Sequence, residues 1–176
     1  MGAHVGPEVC HITGRRLTME LRVATALFGH MGMELDLREE PPENIEILKA
    51  GIVLHKQHRE LLHTGEFQRL DTPPHVNAVG VVSADRREAL FSWCNMTGHR
   101  ETVPGRIFFA GLDPDRRYKV QAVWPHPIKS ITKPSILDAT ELGGDGVIVP
   151  GEALMQMGLQ VPLMHPETCI IYRLES

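Results

Sequence analysis

The spacing of apolar and polar residues changes near residue 65. Apolar residues recur at helical spacing from Thr18, and Gly29 predicts that this helix ends near His30. Pro41-Pro42 predicts the start of a second helix, because proline fits a first helical turn, and Gly65 is a natural end for it. Before both helices, residues 1–5 form an apolar segment that predicts one short strand.

Beyond residue 65 the helical spacing gives way to short alternating segments. Turns rich in Pro, Gly and Asp separate them, which favours an antiparallel β-sandwich. The predicted strands are 67–70, 76–82, 89–94, 106–110, 118–124, 146–149 and 168–174. The chain is therefore predicted to be α+β, with domains 1–65 and 66–176.

The elements predicted for the first 65 residues do not make a complete fold. They offer one strand and two helices, which is a single unit of a larger α/β assembly. The apolar surface of such a unit needs more cover than a neighbouring sandwich can give. We therefore expect this segment to be the last piece of a structure whose earlier part is absent.

Composition excludes several classes of protein. The chain has 18 Lys+Arg against 22 Asp+Glu and is 42% hydrophobic, so it is neither disordered nor basic enough for nucleic-acid binding. It shows no apolar run of membrane length and no signal peptide, so we predict a cytoplasmic protein with no membrane partner. Cys10, Cys94 and Cys169 form no C-x-x-C pair, which predicts reduced thiols rather than a disulfide framework.

Motifs that resemble catalytic or metal sites have simpler interpretations. His55-x-x-His58, with His63 nearby, predicts a solvated helix face, because no carboxylate stands at metalloprotease spacing. Asp113-Pro-Asp115 and the glycine-rich 143–146 segment predict turns. No catalytic residue, metal site or cofactor is therefore predicted from the residues themselves.

Four further residues bear on function. Trp93 and Trp124 lie within apolar strand patterns, which predicts core packing rather than a sugar-binding platform. His4 and His11 flank the turn after the first strand, and loops at strand C-termini carry the active sites of α/β barrels. Both histidines are candidate substrate-binding residues, with a structural hydrogen bond in a tight loop as the alternative.

Several ordered motifs together resemble α-galactosidases of glycoside hydrolase family 36. Those in the first half are Met1-Gly-Ala-His-Val5, the His11–Arg15 segment, 26–37 and 55–63; those in the second half are 81–86, 111–118 and 151–162. The resemblance implies that residues 1–5 are the eighth strand of a (β/α)8 barrel. Residues 6–16 would be the following loop and 17–62 the closing helices, ahead of the family's C-terminal β-sandwich.

The resemblance also implies a retaining glycosidase. Its nucleophilic and acid/base aspartates would stand on earlier barrel strands, upstream of Met1, so no aspartate of this chain inherits either role. α-Galactoside oligosaccharides would be partners only if the missing barrel is present. A homo-oligomer is implied for the full-length family.

Three hypotheses follow. The first is the C-terminal fragment of an α-galactosidase, inactive alone, produced by a truncated gene or by a start assigned at an internal methionine. The second is a non-catalytic β-sandwich module that binds carbohydrate or packs against a partner. The third is a fragment that docks onto a separately encoded barrel.

Overall fold

The structure is a computed structural model that describes residues 2–98, 105–125, 127, 131 and 144–176. It divides into two compact units, Met1–His63 and Thr64–Ser176. Among the described residues, no helix combines the length and the apolar character that a membrane span needs.

The first unit contains a parallel strand pair and three helices. Its elements are β1 (Gly2–Val5), α1 (Met19–Leu27), β2 (His30–Met33), α2 (Pro42–Gln57) and α3 (Arg59–Thr64). β1 and β2 pair in register from Gly2 with His30 to Val5 with Met33. Because parallel neighbours need a crossover between them, β1, α1 and β2 form one β-α-β unit.

The helices of this unit are fixed by a cap and by a close approach. The Thr18 hydroxyl accepts a hydrogen bond from the Leu21 N–H at 3.3 Å and so caps the start of α1. Val23 of α1 packs directly over Gly51 of α2, where any added Cβ would overlap the valine side chain. Gly51 therefore allows the two helices to approach closely.

The prediction of a helix up to His30 is wrong. α1 ends at Leu27, and residues 30–33 form β2, because pairing with β1 satisfies their backbone groups and outweighs local helical spacing. A second parallel strand thus follows residues 1–5, so β1 is not the last strand of the unit, and 17–62 is not helical throughout.

The second predicted helix is two helices. α2 ends at Gln57, and His58 forms its C-cap with a backbone hydrogen bond to Leu54 of 3.2 Å. α3 then begins at Arg59. The predicted solvated face is also wrong for two histidines, since His55 and His58 are only 8% and 6% exposed.

The second unit is built around a six-stranded antiparallel sheet in the order β3-β4-β5-β10-β7-β8. A two-stranded sheet, β6-β9, supplies part of a second layer. The elements are β3 (Glu66–Arg69), β4 (Val76–Val82), β5 (Glu88–Asn95), β6 (Arg106–Ile107), β7 (Arg117–Trp124), β8 (Val147–Pro150), α4 (Gly151–Gln156), β9 (Leu159–Gln160) and β10 (Thr168–Glu175).

This architecture confirms the predicted α+β class with an antiparallel sheet. The sequence pattern missed α4 and β9, and the strand predicted at 106–110 is two residues long. Residue 143 of the predicted glycine-rich turn lies outside the described residues.

The core of the second unit lies on one face of the six-stranded sheet. Phe91, Phe109 and Tyr172 pack edge to face, with ring centroids 5.1 and 5.9 Å apart. Gly80 of β4 stands directly opposite Phe91 of β5, and the ring covers the space that a side chain at Gly80 would fill. Residues from β6, β9 and α4 close this core from the other side.

Candidate functional site

The carboxyl ends of β1 and β2 bring His4 and Glu34 together. His4 stands opposite Gly32 in register, and its ring lies so close that a Cβ at Gly32 would be 2.7 Å from His4 Cδ2. His4 Nδ1 lies 3.3 Å from Glu34 Oε2, and both side chains are more than half exposed. The carboxylate beside Nδ1 restrains the orientation of the imidazole, and the other ring nitrogen, Nε2, lies beside Gly32.

His11 lies at the tip of a small hairpin in the loop after β1. A bridge between Val9 and Arg16 closes this hairpin, and the Gly14 N–H donates to the Cys10 carbonyl at 2.7 Å. Gly14 adopts φ +69°, which favours glycine at this turn. His11 is exposed to solvent in this hairpin.

Cys10 is not paired with its neighbour His11 for nucleophilic chemistry. Hydrogen bonds from Thr13 and from the Ile12 backbone lower the pKa of the Cys10 thiol, and Arg15 adds to the effect. The groups that act on this thiol therefore belong to the turn itself.

The best-buried charge pair of the first unit joins Arg22 to Glu40. Their side chains are 4% and 7% exposed, and Arg22 Nη1 lies 2.7 Å from Glu40 Oε1. Arg22 also donates to the Gly6 carbonyl, and Asn44 donates to Glu40. The pair ties the loop after β1 to α1 and to the start of α2, and the sequence pattern gave no sign of it.

Among the described residues, each carboxyl group with a perturbed pKa has that pKa lowered. Hydrogen bonds from Arg22 lower the pKa of Glu40, and those from Arg38 lower the pKa of Asp36. Ser83 and the Arg87 backbone do the same for Asp85. A general acid in a glycosidase needs a raised pKa, so none of these groups is tuned for that role.

Asp113 also serves a turn rather than catalysis. It accepts a hydrogen bond from the Asp115 N–H at 3.0 Å and pairs with Arg116, and these contacts lower its pKa. The prediction of a turn at Asp113-Pro-Asp115 is confirmed.

Three histidine rings cluster around α2 and α3. The His63 ring lies 4.5 Å from that of His30 and 5.7 Å from that of His55. Burial and the neighbouring charges of His63, Arg59 and His30 lower the pKa of His55. Within the described part of the chain, no group of three or more His, Cys, Asp or Glu residues is placed to hold a metal ion.

The second unit presents neither of its tryptophans as a sugar-binding platform. Trp93 and Trp124 are 3% and 4% exposed, which confirms the prediction that both pack in the interior. Asn95, at the start of an N-glycosylation pattern, is buried and donates to the Met164 carbonyl at 3.0 Å. These positions serve the fold of the sandwich.

Comparisons with known proteins agree with this architecture. The model of the glycosyl hydrolase family 36 C-terminal domain matches residues 76–174, and the melibiase model matches residues 1–65. The chain belongs to glycosyl hydrolase family 36.

Among curated relatives, an α-galactosidase from Escherichia coli is 34% identical over 99% of this chain and 25% of its own length. α-Galactosidase AgaA from Geobacillus stearothermophilus is 30% identical over 70% of this chain and 17% of its own. The chain thus spans a quarter or less of the length of these relatives.

Solved structures give the same result. A variant of the family 36 α-galactosidase AgaA from Geobacillus stearothermophilus, in complex with raffinose, matches with a TM-score of 0.82 and 25% identity. The α-galactosidase from Lactobacillus brevis matches with a TM-score of 0.81 and 25% identity. Each match covers 99% of this chain and 22% of the other chain.

Proposed function

We propose that this chain forms the C-terminal part of a retaining α-galactosidase and has no hydrolytic activity by itself. The observation that carries the proposal is the match of nearly the whole chain to only a quarter of the Escherichia coli α-galactosidase. In this proposal the substrates of the complete enzyme are α-galactoside oligosaccharides. Relatives solved in complex with raffinose and stachyose support that class.

The inactivity of the isolated chain follows from the chemistry of retention. Retaining glycosidases need two carboxyl groups about 5–5.5 Å apart, one of them protonated at working pH. Glu40, Asp36, Asp85 and Asp113 are instead held ionised by arginines or backbone N–H groups. In this proposal the catalytic carboxyls belong to the part of the enzyme that precedes the matched segment.

His4 and His11 are assigned to the substrate-facing rim in this proposal. His4 is the better placed of the two, because Glu34 holds its Nδ1 side and leaves Nε2 to bond a sugar hydroxyl. His11 would act from the exposed hairpin tip. A cytoplasmic location and a homo-oligomer of the full-length protein complete the proposal.

The direct test is an assay of the purified chain on a chromogenic α-galactoside, with the Escherichia coli enzyme as the positive control. We expect release of the chromophore by the control and none above a buffer blank by this chain. Turnover by the chain that persists through repeated purification and disappears after heat denaturation would contradict the proposal.

A further inference from the structure

Cys94 and Cys169 are neighbours across the centre of the sheet, although 75 positions of sequence separate them. Cys94 of β5 stands directly opposite Cys169 of β10 in the antiparallel register. Side chains of directly opposed residues project from the same face of a sheet. The two thiols therefore meet on one side of this strand pair.

The register places them at a position that suits a covalent link. The Ser176 N–H donates to the Arg87 carbonyl in the same register, which marks that pair as hydrogen-bonded. Hydrogen-bonded and non-hydrogen-bonded pairs alternate along two antiparallel strands. Cys94 lies an odd number of residues from Arg87 along the chain, so the Cys94–Cys169 pair is a non-hydrogen-bonded pair. Its Cα atoms are then about 4.5 Å apart, within the range of about 4.4–6.8 Å that a disulfide spans.

The two thiols differ in their access to solvent. They hydrogen-bond to each other, and Cys94 Sγ also lies 3.6 Å from Met96 Sδ. Cys169 is buried, whereas Cys94 is partly exposed. The hydrogen bond with Cys94 and burial raise the pKa of the Cys169 thiol. Because Cys94 is the more exposed of the two, a reagent in solution meets Cys94 first.

We propose that Cys94 and Cys169 form a reversible cross-strand disulfide when the folded protein meets a small disulfide oxidant such as oxidised glutathione. The Cys94 thiol loses its proton to water, and its thiolate attacks one glutathione sulfur and releases one glutathione thiolate. Cys169 then gives up its proton and attacks Cys94 Sγ, which releases the second glutathione. Two protein thiols are oxidised by two electrons, and one external disulfide is reduced to two thiols.

The link would join two strands in the middle of the six-stranded sheet. It would close a long loop of the chain, which restricts the unfolded state and so stabilises the fold. The pair thus provides an oxidant-responsive modification site within the second unit.

The test uses the full chain carrying Cys10→Ser, which removes the partly exposed loop thiol as a competitor. After incubation with oxidised glutathione, we expect the intact mass to fall by two hydrogen atoms. A digest should yield one peptide pair joining Cys94 to Cys169, and dithiothreitol should restore both thiols. The oxidised protein should melt at a higher temperature than the reduced protein.

Matched variants assign the steps. Adding Cys169→Ala should stop the reaction at glutathione attached to Cys94, and adding Cys94→Ser should leave Cys169 unmodified in the folded protein. Tryptophan fluorescence checks that each variant is folded. Glutathione that stays on Cys94 while Cys169 is intact, or two thiols that remain free, would overturn the proposal.

Discussion

Two buried tyrosines of the second unit should respond oppositely to loss of their hydroxyl groups. Tyr118 of β7 donates to the Arg86 carbonyl at 2.6 Å and accepts from the Asp113 N–H at 3.0 Å. The hydroxyl of Tyr172 in β10 is buried and has no hydrogen-bond partner. Both side chains are fully buried in the same core, so they form a matched pair.

The magnitudes follow from what each hydroxyl leaves behind. Tyr118→Phe removes two hydrogen bonds, so the Arg86 carbonyl and the Asp113 N–H both lose their partner. Because Arg86 is exposed and water can replace one partner, we expect a loss of about 1–3 kcal/mol of unfolding free energy. Folding removes the Tyr172 hydroxyl from water and gives it no hydrogen bond in return. Tyr172→Phe removes this group, so we expect the unfolding free energy to stay unchanged or to rise by up to about 1 kcal/mol.

Urea unfolding followed by tryptophan fluorescence measures both effects. Trp93 and Trp124 are the only tryptophans of the chain, and both lie in the second unit, so the signal reports that unit alone. Thermal melts should show Tyr118→Phe lowered by about 4 °C for each kcal/mol lost. A Tyr172→Phe variant destabilised as much as Tyr118→Phe would refute the reasoning.

Three further substitutions probe other features of the two units. Arg22→Met leaves the buried Glu40 carboxylate without its cation and should lower the unfolding free energy by about 3–5 kcal/mol, measured by far-UV circular dichroism melts. The control Lys49→Met breaks an exposed ion pair and should change the unfolding free energy little. Burial lowers the pKa of His55 in the folded state, so on acidification below about pH 6.5 the unfolded chain binds a proton at this residue before the folded chain does. The first unit should therefore lose stability as the pH falls. Limited proteolysis should show a weaker pH dependence for His55→Gln. Gly80→Ala forces a methyl group against the Phe91 ring and should lower the unfolding free energy by about 1–3 kcal/mol, followed by fluorescence. The control Gly98→Ala places its methyl group at an ordinary 3.8 Å from Pro166 and should leave the unfolding free energy unchanged.

The strands of the second unit were predictable because they alternate. β4, β5, β7 and β10 lie within one or two residues of their predicted bounds, since their inward residues must be apolar and their ends carry turn residues. α4 and β9 were not predictable in this way. Each is too short for its periodicity to stand out from the surrounding loop.

The first unit shows where local pattern fails. The predicted helix extends to His30, whereas α1 ends at Leu27 and β2 begins at His30. Local spacing does not identify β2, because only its pairing with β1 makes it a strand. The burial of Arg22 and Glu40 is equally hidden, since each charge is tolerated only through the other. Such features depend on contacts between distant residues, which spacing does not encode.

The same reason explains the candidate sites. The sequence predicts His4 at the end of the first strand and His11 in the loop after it, but it does not predict the contact of His4 with Glu34. Cys94 and Cys169 looked unrelated in sequence, and only the register of β5 with β10 brings them together. The roles of His4 and His11 at the rim stay a prediction, which a measurement of substrate binding would test.

The most direct measurement is the activity of a chimera in which this chain replaces the matching C-terminal quarter of the Escherichia coli α-galactosidase. The same enzyme truncated before that segment is the control. If the chain supplies the C-terminal part of such an enzyme, the chimera should hydrolyse a chromogenic α-galactoside while the truncated control and the isolated chain do not. A soluble, folded chimera as inactive as the truncated control would contradict the account.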